Sequence, residues 1–133
     1  MHRKDELKHQ GMRNHLVSEL KTKGITDENV LKAIAKVPRH LYLDSSVEAH
    51  AYQDKAFPIG ANQSIAQTFT GATQTALLEV KSGDKILEVG TGCGYQTAVL
   101  IALGAKVYTV GRQLELFKKT KLFFQQMPYR PKK

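Results

Sequence analysis

Apolar residues at helical spacing near the start of the chain predict two short amphipathic helices. The first ends near Gly24, and its apolar positions are Leu16, Val17 and Leu20. The second is capped by Thr26 and ended by Pro38, and its apolar positions are Val30, Ile34 and Val37. The segment from 38 to 67 is broken by Pro58 and Gly60, which predicts short helices and loop.

The rest of the chain alternates between helical and strand-like patterns. The expected elements are a helix over 68–80, a strand over Lys85–Val89, a helix over Tyr95–Leu103, a strand over Lys106–Val110 and a helix from about Leu114 to Gln125. This β-α-β-α order predicts an α/β fold with a parallel sheet, which needs cover on both faces. Two strands make a poor sheet, so we expect a fragment of a larger fold or a second chain that completes the sheet.

Length and composition fit one globular domain. The chain has 133 residues, of which 41% are hydrophobic and 24% are charged. Its charged start lacks the apolar core of a signal peptide, and no apolar run approaches membrane-spanning length. Cys93 is the single cysteine, which excludes an internal disulfide. We therefore expect a cytoplasmic protein with no membrane partner.

The positive charge of the chain is concentrated near its end. The formal net charge is +8, and from Arg112 onward seven Lys or Arg residues face one acidic residue, Glu115. A basic segment of this kind binds phosphate backbones in some proteins. No aromatic residues are interleaved with the basic ones as a base-stacking surface requires. We interpret the segment as a solvated helix face and a chain end, and we do not expect a nucleic-acid partner.

A glycine-rich turn follows the first predicted strand of the sheet. Its sequence, EVGTGCGY over 88–95, also opens a helix, so glycine backbone and free N–H groups meet at one point. The dinucleotide pattern G-x-G-x-x-G is not met, because Tyr95 stands where its third glycine belongs. The spacing E-x-G-x-G-x-G is instead typical of S-adenosylmethionine sites. The cofactor-binding candidates are Glu88, Gly90, Thr91, Gly92 and Gly94; the alternative is a turn with no ligand.

Four segments, one of which contains this turn, appear in a recognisable order. They are VPRHLYL, AYQDKAFPIGANQSIAQ, LLEVKSGDKILEVGTGCGYQTAVLIALGAKVYTV and YRPK. With them the chain resembles protein-L-isoaspartate O-methyltransferases from about Met12 onward. The resemblance implies a doubly wound, three-layer α/β fold, S-adenosylmethionine as methyl donor, and isoaspartyl segments of damaged proteins as substrate. It also implies a single incomplete domain, with a helical, substrate-side region over 1–80 and the start of the cofactor-binding sheet over 81–133.

The first departure from the family lies at the end of the second predicted strand. In the family this position is acidic and its carboxylate holds the cofactor ribose, whereas here it is Gly111. Hydrogen bonds to a charged acceptor contribute about 1.5–3 kcal/mol each. We therefore expect cofactor binding to be weaker by roughly one to three orders of magnitude. Glu115 lies a helical turn further along, and we do not expect it to substitute.

The second departure lies in the segment NQSIAQTF. The position of the family's active-site serine is Ala66, and Thr68 replaces the family's proline. Ser64 is a weak candidate substitute, because residues at i and i+2 of an extended segment share a face but lie roughly 6–7 Å apart. The substrate-side candidates beside Ala66 are Gln63, Ile65 and Gln67.

The third departure is length, because the family continues beyond YRPK into further strands. We expect the sheet to expose an apolar edge and face. Together the three departures predict little or no turnover. Two alternatives follow: an isoaspartyl methyltransferase by lineage, and an inactive fragment or binding module of the same fold.

The remaining chemically active residues are expected to be structural. The histidines show no metal-ligand spacing with one another or with Cys93, so we predict no metal site; they are His2, His9, His15, His40 and His50. Cys93 lies beside a helix N-terminus, where a lowered thiol pKa is one alternative and a small residue in a tight turn is the other. The apolar residues of the last helix are expected to be core; they are Leu116, Phe117, Leu122 and Phe123.

Overall fold

A computed structural model describes residues 3–133, so His2 lies outside the described residues. Two α-helices open the chain, α1 at Leu7–Thr22 and α2 at Glu28–Lys36. The N-cap of α2 is Asp27 and not Thr26, because the Asp27 carboxylate accepts hydrogen bonds from the backbone N–H groups of Asn29 (3.0 Å) and Val30 (3.2 Å). A carboxylate there also complements the positive end of the helix dipole.

The segment predicted as short helices and loop contains a β-hairpin. Two 3-10 helices, Arg39–Tyr42 and Ser45–His50, come first. Strand β1 (Phe57–Gly60) then pairs antiparallel with β2 (Gln63–Ile65). The turn between them places Ala61 at φ 52° and Asn62 at φ 57°. The prediction missed this hairpin because Ala-Asn lacks the glycine that usually signals a two-residue turn with positive φ.

The α/β part agrees closely with the sequence pattern. Its elements are α3 (Thr68–Leu78), β3 (Lys85–Val89), α4 (Tyr95–Ala102), β4 (Lys106–Val110) and α5 (Leu114–Phe124). Strands β3 and β4 are parallel and in register from Lys85 opposite Lys106 to Val89 opposite Val110. Beyond α5 the backbone N–H of Lys132 donates to the carbonyl of Val107 (2.7 Å), so the end of the chain pairs with β4.

The sheet buries one face and exposes the other. Ile86 and Val107 pack with residues of α4 on the covered face. Residues of the opposite face are exposed; they are Leu87 (67%), Val89 (80%), Tyr108 (37%) and Val110 (50%). This agrees with the expectation that the sheet presents an apolar face.

The main core lies between the N-terminal helices, the hairpin and α4. Helix α5 contributes Leu116, Thr120 and Phe124 to the interior. Phe117 (40% exposed) and Leu122 (61%) point outward, so the prediction that they are core is wrong. The inward positions follow i, i+4, i+8, which leaves the positions beside them on the helix surface. No helix within residues 3–133 has the length and apolar character needed to cross a membrane.

Candidate functional site

The glycine-rich turn and the segment after β2 line the same cavity, of about 360 Å³. From the predicted cofactor side it is lined by Glu88, Gly90, Thr91 and Gly92. From the predicted substrate side it is lined by Ser64, Ile65, Ala66 and Gln67. Two separate candidate sets from the sequence therefore meet in one place. We call this space the turn cavity.

The carboxylate of Glu88 is held by threonine hydroxyls at the end of β3. Its Oε1 accepts hydrogen bonds from the hydroxyl of Thr97 and from that of Thr109 (2.8 Å). Since the Thr109 hydroxyl hydrogen is used there, the 2.6 Å bond between Thr91 and Thr109 is donated by Thr91. Burial raises the pKa of Glu88. Its Oε2 accepts no hydrogen bond within residues 3–133, so this oxygen is free to accept one from a ligand.

Backbone bonds fix the shape of the turn. The N–H groups of Gly90 and Thr91 both donate to the carbonyl of Val110, at 2.7 and 3.2 Å. Gly90 (φ 94°) and Gly92 (φ 56°) adopt backbone conformations that favour glycine. A Cβ at Gly90 would meet no atom within 4 Å, so this glycine leaves open space. The turn is thus tied to the tip of β4.

Gly94 has a different place from the other glycines of the motif. It is the N-cap of α4, with φ 89°, and it does not line the turn cavity. A Cβ there would lie 2.7 Å from two ring atoms of Phe124. The side-chain hydroxyl of Thr120 donates to the carbonyl of Gly92 (2.6 Å), which holds α5 against the turn. Gly94 therefore permits the close packing of α5.

Arg39 is a buried cation beside the turn cavity that the sequence reasoning did not single out. Its side chain is 1% exposed and forms no ion pair with a carboxylate within residues 3–133. The guanidinium donates to the carbonyls of Ala51 (3.2 Å) and Ala66 (3.0 Å), and its Cζ lies 4.7 Å from the ring centroid of Tyr95. Arg39 thus fixes the backbone at Ala66. The motif VPRHLYL gave no signal of this role, because the partners of Arg39 are backbone carbonyls that no residue spacing identifies.

The position of the missing serine offers no hydroxyl to the turn cavity. Ala66 is exposed there, and Ser64 lies two residues earlier in β2, opposite Pro58. Ile65 is 7% exposed and packs into the core. The Thr68 hydroxyl is buried and has no hydrogen-bond partner in the described chain.

A second cavity, of about 570 Å³, adjoins the tips of β3 and β4. We call it the strand-tip cavity. From the predicted residues it is lined by Gln63, Ser64, Gly90, Thr91, Gly92 and Gly111, with Arg112 and Gln113 beside them. Glu115 is not among its lining residues.

The structure brings together three potential metal ligands that are far apart in the sequence. Ligand atoms of Asp5, His9 and His40 lie within 4.8 Å of one another, although their spacing gave no sign of a site. Each of these atoms already has a protein partner. Both carboxylate oxygens of Asp5 accept from Arg13 (3.0 and 2.8 Å), and all four imidazole nitrogens are engaged with protein groups.

Cys93 lies partly buried in the glycine-rich turn. Burial raises the pKa of its thiol, which contradicts a reactive, low-pKa cysteine at this helix N-terminus. The thiol is therefore a small, apolar occupant of the turn.

Comparison with known proteins places this chain in one family. The sequence profile of protein-L-isoaspartate(D-aspartate) O-methyltransferase matches residues 11–128. Protein-L-isoaspartate O-methyltransferases of Christiangramia forsetii and Flavobacterium johnsoniae are 64% and 65% identical over 129 residues. That alignment covers 97% of this chain and 61% of each relative. The chain thus spans about three fifths of the length of these relatives.

Solved structures support the fold. A protein-L-isoaspartate O-methyltransferase superposes with a TM-score of 0.78 at 22% identity, covering 90% of this chain and 40% of its own. A Plasmodium falciparum protein, described as a putative protein-L-isoaspartate O-methyltransferase in complex with S-adenosyl-L-homocysteine, gives 0.65 at 24% identity over 92% of this chain and 61% of its own. These matches confirm the expected α/β methyltransferase fold.

Proposed function

Because the chain belongs to the protein-L-isoaspartate O-methyltransferase family, we propose that it carries the cofactor and substrate sites for methyl transfer from S-adenosylmethionine to the side chain of L-isoaspartyl residues. The observation that supports this proposal is the turn cavity, where the glycine-rich turn faces the segment around Ala66. A methyl donor on one side of such a cavity and a carboxylate on the other would be neighbours.

The residues of the glycine-rich turn suit the cofactor, whereas the tip of β4 lacks the carboxylate that would hold its ribose. At the turn, the open space beside Gly90 and the free oxygen of Glu88 suit the close approach of a ligand with an amino group. At the tip of β4, Gly111 offers no carboxylate to ribose hydroxyls. We infer that Glu88, Gly90, Thr91 and Gly92 would hold the amino-acid part of S-adenosylmethionine and that its ribose would be held weakly. Gly94 would support the turn by packing.

For methyl transfer to a carboxylate, the main contribution of the protein is to position the two reactants. When bound, S-adenosylmethionine supplies a sulfonium methyl group, whose carbon–sulfur bond breaks as a carboxylate oxygen forms the new carbon–oxygen bond. The carboxylate is ionised at neutral pH, with an ordinary pKa of about 4, so no general base is needed. Arg39 would place the backbone of Ala66 against the isoaspartyl segment through its 3.0 Å hydrogen bond. Ser64 and Gln67 would supply the other polar contacts in the turn cavity, whereas Gln63 lines the strand-tip cavity.

The experiment is transfer of labelled methyl groups to an isoaspartyl peptide, with the matching aspartyl peptide as control. The unaltered chain is compared with a double variant, Ala66→Ser with Gly111→Glu, that returns both missing groups. We expect label in the isoaspartyl peptide alone, and more of it with the double variant. Absence of label with both proteins, together with no heat from S-adenosylhomocysteine titration, would overturn the proposal.

A second candidate function is a binding module without turnover. Ala66 and Gly111 both lack the functional group that the family's pattern places there, and the exposed face of the sheet offers apolar area for another chain. This candidate predicts cofactor binding or association with a second chain, and no methyl transfer. Methyl transfer by the isolated, unaltered chain would exclude it. The lone Cys93 supports a cytoplasmic location for either function.

A further inference from the structure

The strand-tip cavity has an unusual charge for a site that is expected to hold a ribose. Its volume of about 570 Å³ suits a nucleoside. Arg112 is the charged residue among those that line it within residues 3–133. No aspartate or glutamate lines it in that part of the chain. The local charge therefore favours an anionic ligand.

Position 111 is where an acidic side chain would enter the strand-tip cavity, and it is occupied by glycine. Its backbone lies outside the left-handed region, so any residue is compatible with it. A Cβ at this position would contact Thr91 Oγ1 (3.5 Å) and Phe117 Cδ2 (3.8 Å), both of which line the cavity. An acid at position 111 would thus start at the cavity wall, and glycine removes both a ribose acceptor and a charge that repels phosphate.

Phe117 gives the same cavity an aromatic wall. Its side chain is 40% exposed, and the Nζ of Lys121 lies 6.0 Å from its ring centroid. Phe117 and Thr91 also line an adjoining cavity, of about 380 Å³, to which Lys121 and Arg130 belong and no acidic side chain of the described residues contributes. An aromatic face among cations is suited to a base and its phosphate.

The guanidinium of Arg112 is available for a ligand. It makes no hydrogen bond or ion pair within residues 3–133, and Glu115, which is near in sequence, is exposed on α5 and does not line the cavity. A planar guanidinium binds phosphate through paired, charge-assisted hydrogen bonds. It offers no acceptor to ribose hydroxyls.

From these observations we propose that the strand-tip cavity prefers an adenosine phosphorylated on its ribose to an unmodified adenosine, with Arg112 as the phosphate ligand. This inference rests on the proposed function for the location of the nucleoside. It goes beyond that function in the ligand that the site prefers. Arg112 would bind a phosphate on the ribose, whereas an acid at position 111 would have bound the ribose hydroxyls.

The test is calorimetric titration with adenosine, adenosine 2′-phosphate, adenosine 3′-phosphate and inorganic phosphate. We expect one of the phosphorylated nucleosides to bind about tenfold more tightly than adenosine, which is the strength of a single charge-assisted contact. Arg112→Gln should abolish this difference. Lys118→Gln is the control, because it also removes one positive charge but lies on α5 at a position that lines neither cavity. It should preserve the difference in affinity between phosphorylated and unmodified adenosine.

Several results would overturn the proposal. These are equal affinity for adenosine and both phosphates, an equal loss in the Arg112 and Lys118 variants, inorganic phosphate binding as tightly as the nucleotides, or no nucleoside binding at all. S-adenosylhomocysteine is titrated in parallel. Binding of that compound without a preference for phosphate would contradict this inference and leave the proposed function standing. A preference for phosphate, with neither S-adenosylhomocysteine binding nor methyl transfer, would contradict the proposed function and leave this inference standing.

Discussion

The imidazole rings of His9 and His40 stack, with their centroids 3.7 Å apart and their planes 18° from parallel. Both rings are buried. The Nδ1 of His9 accepts from the backbone N–H of Glu6 (3.1 Å), and the Nε2 of His40 donates to the carbonyl of Lys4 (3.0 Å). The Nε2 of His9 lies 3.3 Å from the carboxylate of Glu48, so both ring nitrogens of His9 have a protein partner.

The buried position of His40 makes the stability of the protein depend on pH. Its Nδ1 lies 2.8 Å from the Tyr52 hydroxyl, which donates to it when the ring is neutral. Burial, foremost, lowers the pKa of His40. Between that lowered pKa and the ordinary value of about 6.5, the unfolded chain binds more protons than the folded chain. We therefore expect the free energy of unfolding to be highest above about pH 6.5 and to decrease as pH falls below it.

The measurement is urea unfolding at pH 7.5 and 5.5 of the unaltered chain, His40→Gln and His15→Gln. The His15 side chain is 79% exposed, so its variant should keep the pH dependence, while the His40 variant should weaken it. Glu88, whose pKa burial raises, contributes with the opposite sign but equally in all three proteins. An unchanged pH dependence in His40→Gln would show that this ring is not the source.

Local sequence pattern was sufficient for the α/β part of the fold. The strands Lys85–Val89 and Lys106–Val110 have the predicted bounds, because each is a short apolar run between turn-forming residues. The glycine-rich turn and the segment 64–67 were separate candidates in the sequence, and the structure places both along one cavity; their roles stay predictions. The sequence pattern failed at the hairpin, where Ala61 occupies a conformation that glycine or asparagine usually takes.

Features that depend on tertiary contact were out of reach of the pattern. The stacked pair joins residues 31 positions apart, since α1 must dock against the first 3-10 helix before His9 meets His40. Arg39 is similar, because its partners are backbone carbonyls from three separate loop positions. No residue spacing encodes such contacts, whereas a helix or strand is encoded by its own neighbours.

The second prediction concerns Gly111→Glu. The Cβ has room at van der Waals distance, and the new carboxylate would face the strand-tip cavity. We expect affinity for S-adenosylhomocysteine to rise by about one to three orders of magnitude, because hydrogen bonds to a charged acceptor are worth about 1.5–3 kcal/mol each.

Gly111→Gln is the matched control for this change, because it has the same length and no charge. It should recover a minor part of the gain by calorimetric titration. Equal affinities of the unaltered chain and Gly111→Glu would show that the defect lies elsewhere in the site.

The third prediction concerns the hairpin turn. Ala61 is held at φ 52°, where a residue with a Cβ is strained by about 1–2 kcal/mol. Glycine removes this strain and costs about 0.5–1 kcal/mol of backbone entropy. Ala61→Gly should therefore stabilise the protein by roughly 0.5–1 kcal/mol in denaturant unfolding. Ala35→Gly, inside α2, has the entropic cost and loses a partly buried methyl group without relieving any strain, so it should destabilise. A loss of stability in both variants would contradict the strained turn.

The last prediction concerns Gly94→Ala at the junction of the glycine-rich turn and α5. The added methyl would lie 2.7 Å from the Phe124 ring, in a backbone conformation with φ 89°. Strain of that backbone costs about 1–2 kcal/mol and overpacking about 1–3 kcal/mol. We expect a destabilisation of roughly 2–5 kcal/mol in denaturant unfolding, and a matching loss of cofactor binding because the turn must shift.

Gly24→Ala separates backbone strain from overpacking as causes of the destabilisation expected for Gly94→Ala. Gly24 has φ 107° with no atom within 4 Å of its Cβ direction, so its variant should show the cost of backbone strain alone. Phe124→Leu added to Gly94→Ala should recover part of the remaining difference, because the shorter side chain withdraws the two ring atoms that clash. If Gly94→Ala cost no more than Gly24→Ala, contact with α5 would not be what requires glycine at this position, and backbone conformation alone would account for it.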